Sequence, residues 1–234
     1  MTFQCPIPAQ AEALHYLEEA AFHCPGTLLL GGHSKGGNLA VYAAGSADET
    51  LQQRITCVHS HDGPGFLRHV LLQEGFVRIA PRVERFLPQS AVVGLLLEQE
   101  KPSRIVKSSR SSVFQHDPFS WEVRDLDFVD SDKLSTGARY ADKTLTAWLE
   151  SLSAQERERF VDTLYGVLNT NDLDTLSDFS SNLHTNLPAV FHAASRLDAD
   201  TKKFLSRTVR KLVKLSFTTV PDMLPRRLQP EDPE

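Results

Sequence analysis

Cysteine is scarce in this chain. The three cysteines among 234 residues, Cys5, Cys24 and Cys57, are odd in number and lack the Cys-X-X-Cys spacing typical of metal and redox sites. This scarcity excludes a small domain held together by disulfides, and it predicts reduced thiols.

An excess of positive charge is also lacking. Lys and Arg total 25 against 30 for Asp and Glu, a formal net charge of −5. This balance excludes a broad basic surface, so we expect no nucleic acid partner. Long apolar runs are missing too, and the start, MTFQCPIPAQ, has no basic segment followed by an apolar one. The sequence therefore predicts no membrane span or export signal, and a cytoplasmic protein.

What the chain does have is enough apolar residues, 41%, to form a folded core. Helical and strand patterns alternate in its first part, which predicts an α/β fold with a mostly parallel sheet. Thr27 to Leu30 is a short apolar run, typical of a strand buried on both faces of such a sheet. The other predicted strands are Arg54 to Ser60, Arg82 to Leu87 and Ser103 to Lys107. Helices are predicted over Pro8 to His23, after the glycine-rich turn as far as about Gly45, and within Phe66 to Gln73.

The pattern changes near residue 134, beyond which amphipathic helical stretches replace strands. We expect an α/β core over 1–134, an α-helical extension over 135–218 and a disordered, proline-rich tail over 219–234. Ser153 and Glu156 have capping-box spacing, which predicts a helix from there to about Leu168. An acidic run before the extension is interpreted as a solvated connector. Its members are Asp125, Asp127, Asp130 and Asp132.

The segment Gly32-His33-Ser34-Lys35-Gly36 matches Gly-X-Ser-X-Gly between an apolar strand and a helical pattern. At such a turn the serine is held in a strained conformation, and it is predicted to be a nucleophile. The helix start directs backbone amides at the same point, so the Lys35 amide is the candidate to stabilise an oxyanion. The turn also needs small residues where strand and helix approach. These are Gly32, Gly36 and Gly37.

A nucleophilic serine needs a histidine to accept its proton and an acid to orient that histidine. His116 lies beyond the last predicted strand, where hydrolases with the chain order Ser, Asp, His place their base. Asp62 follows the strand Arg54 to Ser60 at its carboxyl end, the edge where open α/β sheets build sites. We predict His116 as the base and Asp62 as the acid, with Asp117 as the competing acid. This chemistry needs no cofactor or metal, and none is expected.

The chain contains, in order, GGHSKGGNLAVYAA, SHDGPGF, FLPQSAVVGLLLE and VKSSRSSVFQHDPFSWEV. Together these stretches resemble the bacterial Mbeg-type family of unknown function, placed with the class 3 lipase-like α/β hydrolases. The similarity runs from about Pro8 to Val123. It implies an α/β-hydrolase-like fold, with Ser34 as nucleophile, His116 as base and Asp62 as acid. The family supplies no substrate, and it is the predicted serine chemistry that leads us to expect a small-molecule or lipid ester. The similarity implies no acyl-chain preference, and the oligomeric state stays open.

The same resemblance leads us to expect an N-terminally truncated chain. Family members resemble longer lipases in having upstream strands and a Phe-Arg-Gly-Thr-like loop with a second oxyanion amide, and nothing equivalent precedes Pro8. Loss of that donor would lower the rate on the order of 10²-fold or more. Two classes of function stay open. One is a serine ester hydrolase; the other is a catalytically impaired hydrolase-fold binding or scaffold protein, or an inactive fragment.

Two more features have alternative interpretations. His59 and His61 alternate along a strand and with His33 and Asp62 would make a metal site, although packing or hydrogen bonding is the favoured interpretation. Lys202 to Lys214 carries six basic residues and no acidic one, opposite an apolar stripe. Such a helix fits an anionic membrane surface, and the favoured alternative is that its stripe packs on neighbouring helices.

Overall fold

A computed structural model describes residues 6–99, 102–153, 155–157, 159–160, 162–163 and 195–219 of the chain. The chain divides into two compact units, Met1–Thr146 and Ala147–Glu234. The division falls within the first helix of the expected helical extension, after the predicted boundary at residue 134. The first unit contains the sheet and all the predicted site residues.

Helices and parallel strands alternate along the first unit, as predicted. Helix α1 (Pro8–His23) leads to β1 (Leu28–His33), α2 (Lys35–Ser46), α3 (Glu49–Arg54) and β2 (Ile55–His61). The short helices α4 (Arg68–Leu71) and α5 (Glu74–Ile79) then precede β3 (Val83–Pro88) and β4 (Arg104–Val106). The four strands form one parallel sheet in the order β1-β2-β3-β4. Because parallel strands point the same way, the residues after β1, β2 and β3 meet at one edge.

One face of this sheet carries the larger hydrophobic core. Leu17 of α1 and Ala44 of α2 pack in the same cluster as Val58 of β2. Phe76 and Ile79 of α5 complete its centre and are fully buried. Helices α1 and α2 therefore cover the same face of β1 and β2, and the larger core lies between these helices and the sheet.

Among the described residues, the opposite face is covered over β3 and β4 but not over β1. Phe86, Val106 and Trp121 form a second buried cluster there, with Phe128 packed against them. Leu29 of β1, by contrast, is 69% exposed. The prediction that this strand is buried on both faces is therefore wrong. An apolar run shows that a segment is hydrophobic but not how many of its faces are covered. In the described sheet β1 is the first strand in the order, and helices cover only one of its faces.

The acidic run forms a hairpin instead of a connector. Strands β5 (Val123–Arg124) and β6 (Asp127–Phe128) pair antiparallel. The Arg104 guanidinium binds the carboxylates of Asp127, at 2.9 Å, and Asp130. The acidic side chains are exposed to solvent, as predicted, but the segment is not a simple connector. Exposed ion pairs of this kind contribute at most about 1 kcal/mol each.

Helix α6 (Thr136–Glu150) runs across the division into the second unit. There the indole Nε1 of Trp148 donates to the Thr208 carbonyl at 3.0 Å, within a second helix, Ala199–Thr219. We call Ala199–Thr219 the basic helix. In the described part of the chain, no helix has both the length and the apolarity that crossing a bilayer requires.

The predicted capping box is present in this unit. The Ser153 amide donates to Glu156 Oε2 at 3.0 Å, and the Glu156 amide donates to Ser153 Oγ at 3.2 Å. Residues 155–157, 159–160 and 162–163 are helical. The remainder of the predicted helix, to Leu168, lies outside the described residues, and so does nearly all of the predicted tail, 220–234.

Candidate active site

Two neighbouring strand ends bring Ser34 and Asp62 to the same sheet edge. His33 pairs with His61 in the parallel register of β1 and β2, so the next residue of each strand leaves the sheet at the same level. The Ser34 amide donates to the His61 carbonyl at 2.9 Å, and the Asp62 amide donates to the Phe86 carbonyl of β3 at 2.8 Å. These bonds fix the backbone of both residues to the adjacent strand.

Ser34 has a backbone conformation that L-residues rarely adopt, with φ 55° and ψ −124°. Such a conformation costs on the order of 1–3 kcal/mol, and surrounding contacts must hold it. The amides of Gly37 and Asn38 donate to the Ser34 carbonyl at 3.0 and 3.3 Å, which starts α2. The Lys35 amide belongs to the first turn, whose amides have no acceptor within the helix. The Lys35 N–H group therefore lies next to Ser34 and makes no hydrogen bond within α2.

The glycines of this turn do not share one role. A Cβ on Gly32 would lie 2.3 Å from the Gly36 carbonyl carbon, and one on Gly37 would lie 2.7 Å from Ser60 Oγ. A Cβ on Gly36 would meet no described atom within 4 Å. The predicted need for a small residue therefore holds at Gly32 and Gly37 and is wrong for Gly36. The backbone carbonyl of Gly36 faces β1, whereas a side chain at Gly36 would point away from the strand.

Asp62 and His116 are in direct contact. The Asp62 side chain is 1% exposed, and its Oδ2 lies 2.7 Å from His116 Nδ1. The other carboxylate oxygen accepts a hydrogen bond from the Gly94 amide at 2.9 Å. Because a carboxylate only accepts, Nδ1 of His116 is the donor in this pair. The neutral ring therefore keeps a lone pair on Nε2, the atom that a general base uses.

The loop that carries His116 is held by Gln115. Its side-chain amide donates to the Arg110 carbonyl at 2.8 Å and accepts from the Ser90 amide at 2.7 Å. The Trp121 indole donates to the Gln115 carbonyl at 2.8 Å. Asp117, the competing acid, is engaged elsewhere, since its carboxylate pairs with Arg110 Nη1 at 2.9 Å and accepts from the Phe119 amide. Of the two aspartates, it is Asp62 that binds the ring.

His33 supports the same histidine, a role that the sequence reasoning missed. Its Nε2 lies 2.7 Å from the His116 carbonyl oxygen, so Nε2 carries the proton and donates. The two rings lie 4.5 Å apart between centroids. Burial, and after it the neighbouring His116, lower the pKa of His33 and favour its neutral form. The available signal was its position immediately before the nucleophile candidate.

Asn38 anchors the loop after Asp62, and this residue was also missed. Its side-chain amide donates to the carbonyls of Pro64 and Gly65 at 3.2 and 3.1 Å. Its carbonyl oxygen accepts from Gln10 Nε2 at 3.0 Å. Asn38 and Gln10 are both 1% exposed. The sequence feature that could have identified Asn38 is a polar amide on the buried face of a predicted helix. Such a group is expected to have hydrogen-bond partners, because burying it unpaired costs free energy.

The structure thus brings Asp62 and His116 into contact and places Ser34 at the same edge. Among the described residues, no hydrogen bond links Ser34 Oγ to the His116 ring. Catalytic hydrogen bonds are often long or poorly aligned before substrate binds, so the missing bond does not exclude Ser34 as a nucleophile.

The alternative metal set is not assembled. Within the part of the chain that the structure describes, His33, His59, His61 and Asp62 do not form a group of candidate ligands. The His61 ring instead stacks on Phe86 with centroids 5.2 Å apart. Burial lowers the pKa of His61, as expected for a packed, neutral imidazole.

A family model described as Mbeg1-like matches residues 1–166, and the chain belongs to this family. This match confirms the family that the sequence motifs indicated. No curated protein and no solved structure matches the chain.

Proposed function

We propose that this chain is a serine hydrolase of the lipase or esterase type, with an α/β-hydrolase-like core, which cleaves a carboxylic ester through an acyl-serine intermediate. One observation carries the proposal. The buried Asp62 carboxylate holds His116 Nδ1 at 2.7 Å, at the sheet edge where Ser34 occupies a strained turn.

The first half of the reaction forms the acyl-enzyme. His116 Nε2 accepts the hydroxyl proton as Ser34 Oγ attacks the ester carbonyl carbon. The carbonyl oxygen becomes an oxyanion, and the Lys35 amide donates to it. When the tetrahedral intermediate collapses, the carbon–oxygen bond to the alcohol breaks, and the alkoxide takes the proton from His116.

The second half regenerates the serine. Water attacks the acyl carbon while His116 removes one of its protons, and Ser34 Oγ leaves with that proton. The products are a carboxylic acid and free enzyme. Asp62 stabilises the imidazolium in both halves and keeps its Nδ1 proton directed away from the reacting atoms.

Activity-based labelling tests this proposal. A fluorophosphonate forms a covalent adduct only with an activated serine, so we expect labelling of the wild-type chain and none of Ser34→Ala. His116→Ala should slow labelling by about 10²-fold or more, since general-base catalysis contributes that much.

The matched control is Asp117→Asn, which changes the carboxylate next to His116 that pairs with Arg110 instead of the ring. Its labelling rate should stay near that of the wild type. Equal labelling of wild type and His116→Ala would contradict the triad, and no labelling of folded protein would favour a binding or scaffold role.

We further propose that the basic helix contacts anionic membranes. Phe204 and Thr208 are buried, whereas Val209, Val213 and Phe217 are 46%, 48% and 74% exposed. These three are spaced by four residues and therefore share one helix face. An exposed apolar stripe beside Lys and Arg side chains has the composition that binds anionic lipid surfaces.

A further inference from the structure

Three metal-ligating side chains meet on the sheet face opposite the larger core. Cys57 and His59 are two residues apart on β2 and therefore point to the same side. Glu84 of β3 is the parallel-register partner of His59. Sulfur, imidazole nitrogen and carboxylate oxygen atoms of the three residues all lie within 4.8 Å of one another.

We propose that Cys57, His59 and Glu84 bind a zinc ion. One thiolate, one imidazole and one carboxylate are a ligand set that zinc accepts, with water in the fourth position. Bond lengths of about 2.3 Å to sulfur and about 2.0–2.2 Å to nitrogen and oxygen place tetrahedral ligand atoms about 3.4–3.6 Å apart. The distance between His59 Nε2 and Glu84 Oε2 is 3.8 Å, so this pair is already close to that geometry.

The adjustment that remains falls on the most mobile of the three ligands. The Glu84 side chain is 60% exposed and the His59 side chain 31%, so an ion reaches both from solvent. The His59 ring packs beside Phe86 and His61 at 5.7 and 6.1 Å, which limits its rotation. Cys57 is held by the strand backbone. Glu84 is therefore the ligand that rotates inward to close the site.

Binding releases one proton and joins two strands. The zinc–sulfur bond replaces the thiol S–H bond, and the proton passes to solvent. The ion then links β2 to β3 on the face where the neighbouring strand leaves Leu29 exposed. The three ligands are separate from the residues proposed for acyl transfer, so the ion acts on the stability of the sheet and not on that chemistry.

Cobalt titration of the full chain tests the site. Co²⁺ replaces Zn²⁺ in such sites, and a thiolate ligand produces a sulfur-to-cobalt charge-transfer band in the near ultraviolet. We expect one equivalent of Co²⁺ to develop this band and Zn²⁺ to abolish it. Cys57→Ser should eliminate the band, whereas His59→Ala and Glu84→Gln should weaken Zn²⁺ binding by at least about tenfold, the loss that even indirect partners of a metal can cause.

The matched controls are the other two thiols. Cys24→Ser and Cys5→Ser should keep the full band, and circular dichroism establishes that each variant is folded. Glu84→Gln is the decisive variant if Cys57→Ser fails to fold, because Glu84 lies at the surface. No band in folded wild type, a band that survives in Cys57→Ser, or unchanged Zn²⁺ affinity in Glu84→Gln would overturn the proposal. Fluorophosphonate labelling is independent of every one of these outcomes.

Discussion

Alanine at Gly32 and alanine at Gly36 should have opposite effects on stability. At Gly32 the added methyl would lie 2.3 Å from a backbone carbon of α2, and backbone cannot rotate away. Overpacking of this kind costs about 1–3 kcal/mol, and we expect the upper part of that range. At Gly36 the methyl meets no described atom within 4 Å, and replacing glycine with alanine in a compatible helical position stabilises by about 0.4–1 kcal/mol.

The two free energies of unfolding should therefore differ by about 1.4–4 kcal/mol, the sum of these two ranges, and by more than about 2 kcal/mol if Gly32→Ala lies in the upper part of its range. For a chain of this length, each kcal/mol shifts the melting temperature by about 2–4 °C. Urea unfolding and thermal unfolding, both followed by circular dichroism, measure the difference on the full chain. Gly32→Ala should also lose fluorophosphonate labelling, because the strand–helix approach that holds Ser34 is displaced.

Two results would refute this reasoning. If Gly36→Ala destabilised the chain as much as Gly32→Ala, the motif glycines would share a single steric role. If Gly32→Ala unfolded at the wild-type midpoint, the close approach of β1 and α2 would not exist in solution.

The remaining predictions concern the loop anchor, the buried imidazoles and the basic helix. Asn38→Ala removes the side-chain amide that donates to the Pro64 and Gly65 carbonyls. It should lower the free energy of unfolding by about 1–3 kcal/mol in urea titrations, and a loss below about 0.5 kcal/mol would contradict the anchoring role. Burial lowers the pKa of His33 and His61 from 6.5, so as the pH falls the unfolded chain takes up protons before the folded chain does. The free energy of unfolding in urea titrations should therefore be fully retained above pH 6.5 and decline below it. His33→Gln should reduce the slope of that decline with pH. In liposome flotation the chain should float with anionic vesicles and not with neutral ones, and Phe217→Ser should reduce recovery; recovery independent of lipid charge would exclude the membrane contact.

Local signals predicted the framework of the first unit well. Pro8 and the Cys-Pro-Gly stop define α1, and apolar runs locate β2, β3 and β4 to within a few residues. The choice of Asp62 over Asp117 rested on the strand end, and the structure places Asp62 against His116. These features depend on neighbours in sequence or on the direction of parallel strands.

Features that depend on distant contacts were not predictable in the same way. The exposure of Leu29 depends on what covers each face of the sheet, which no local pattern records. Gly36 was expected to be sterically required because the motif treats its two outer glycines alike, whereas only the α-carbon of Gly32 faces the other element. The β5–β6 hairpin is too short for any periodicity, and its acidic residues are explained only once Arg104 lies beside them.

Asp62 accepts a hydrogen bond on each side, from the Gly94 amide and from His116 Nδ1. A side-chain amide has the same shape but only one accepting oxygen, so Asp62→Asn would satisfy one of these donors and turn its NH₂ group toward the other. The backbone amide of Gly94 cannot give up its hydrogen, and the imidazole can. The substitution would therefore move the ring proton of His116 to Nε2, and a folded chain would have the histidine that we propose as general base protonated on the wrong nitrogen.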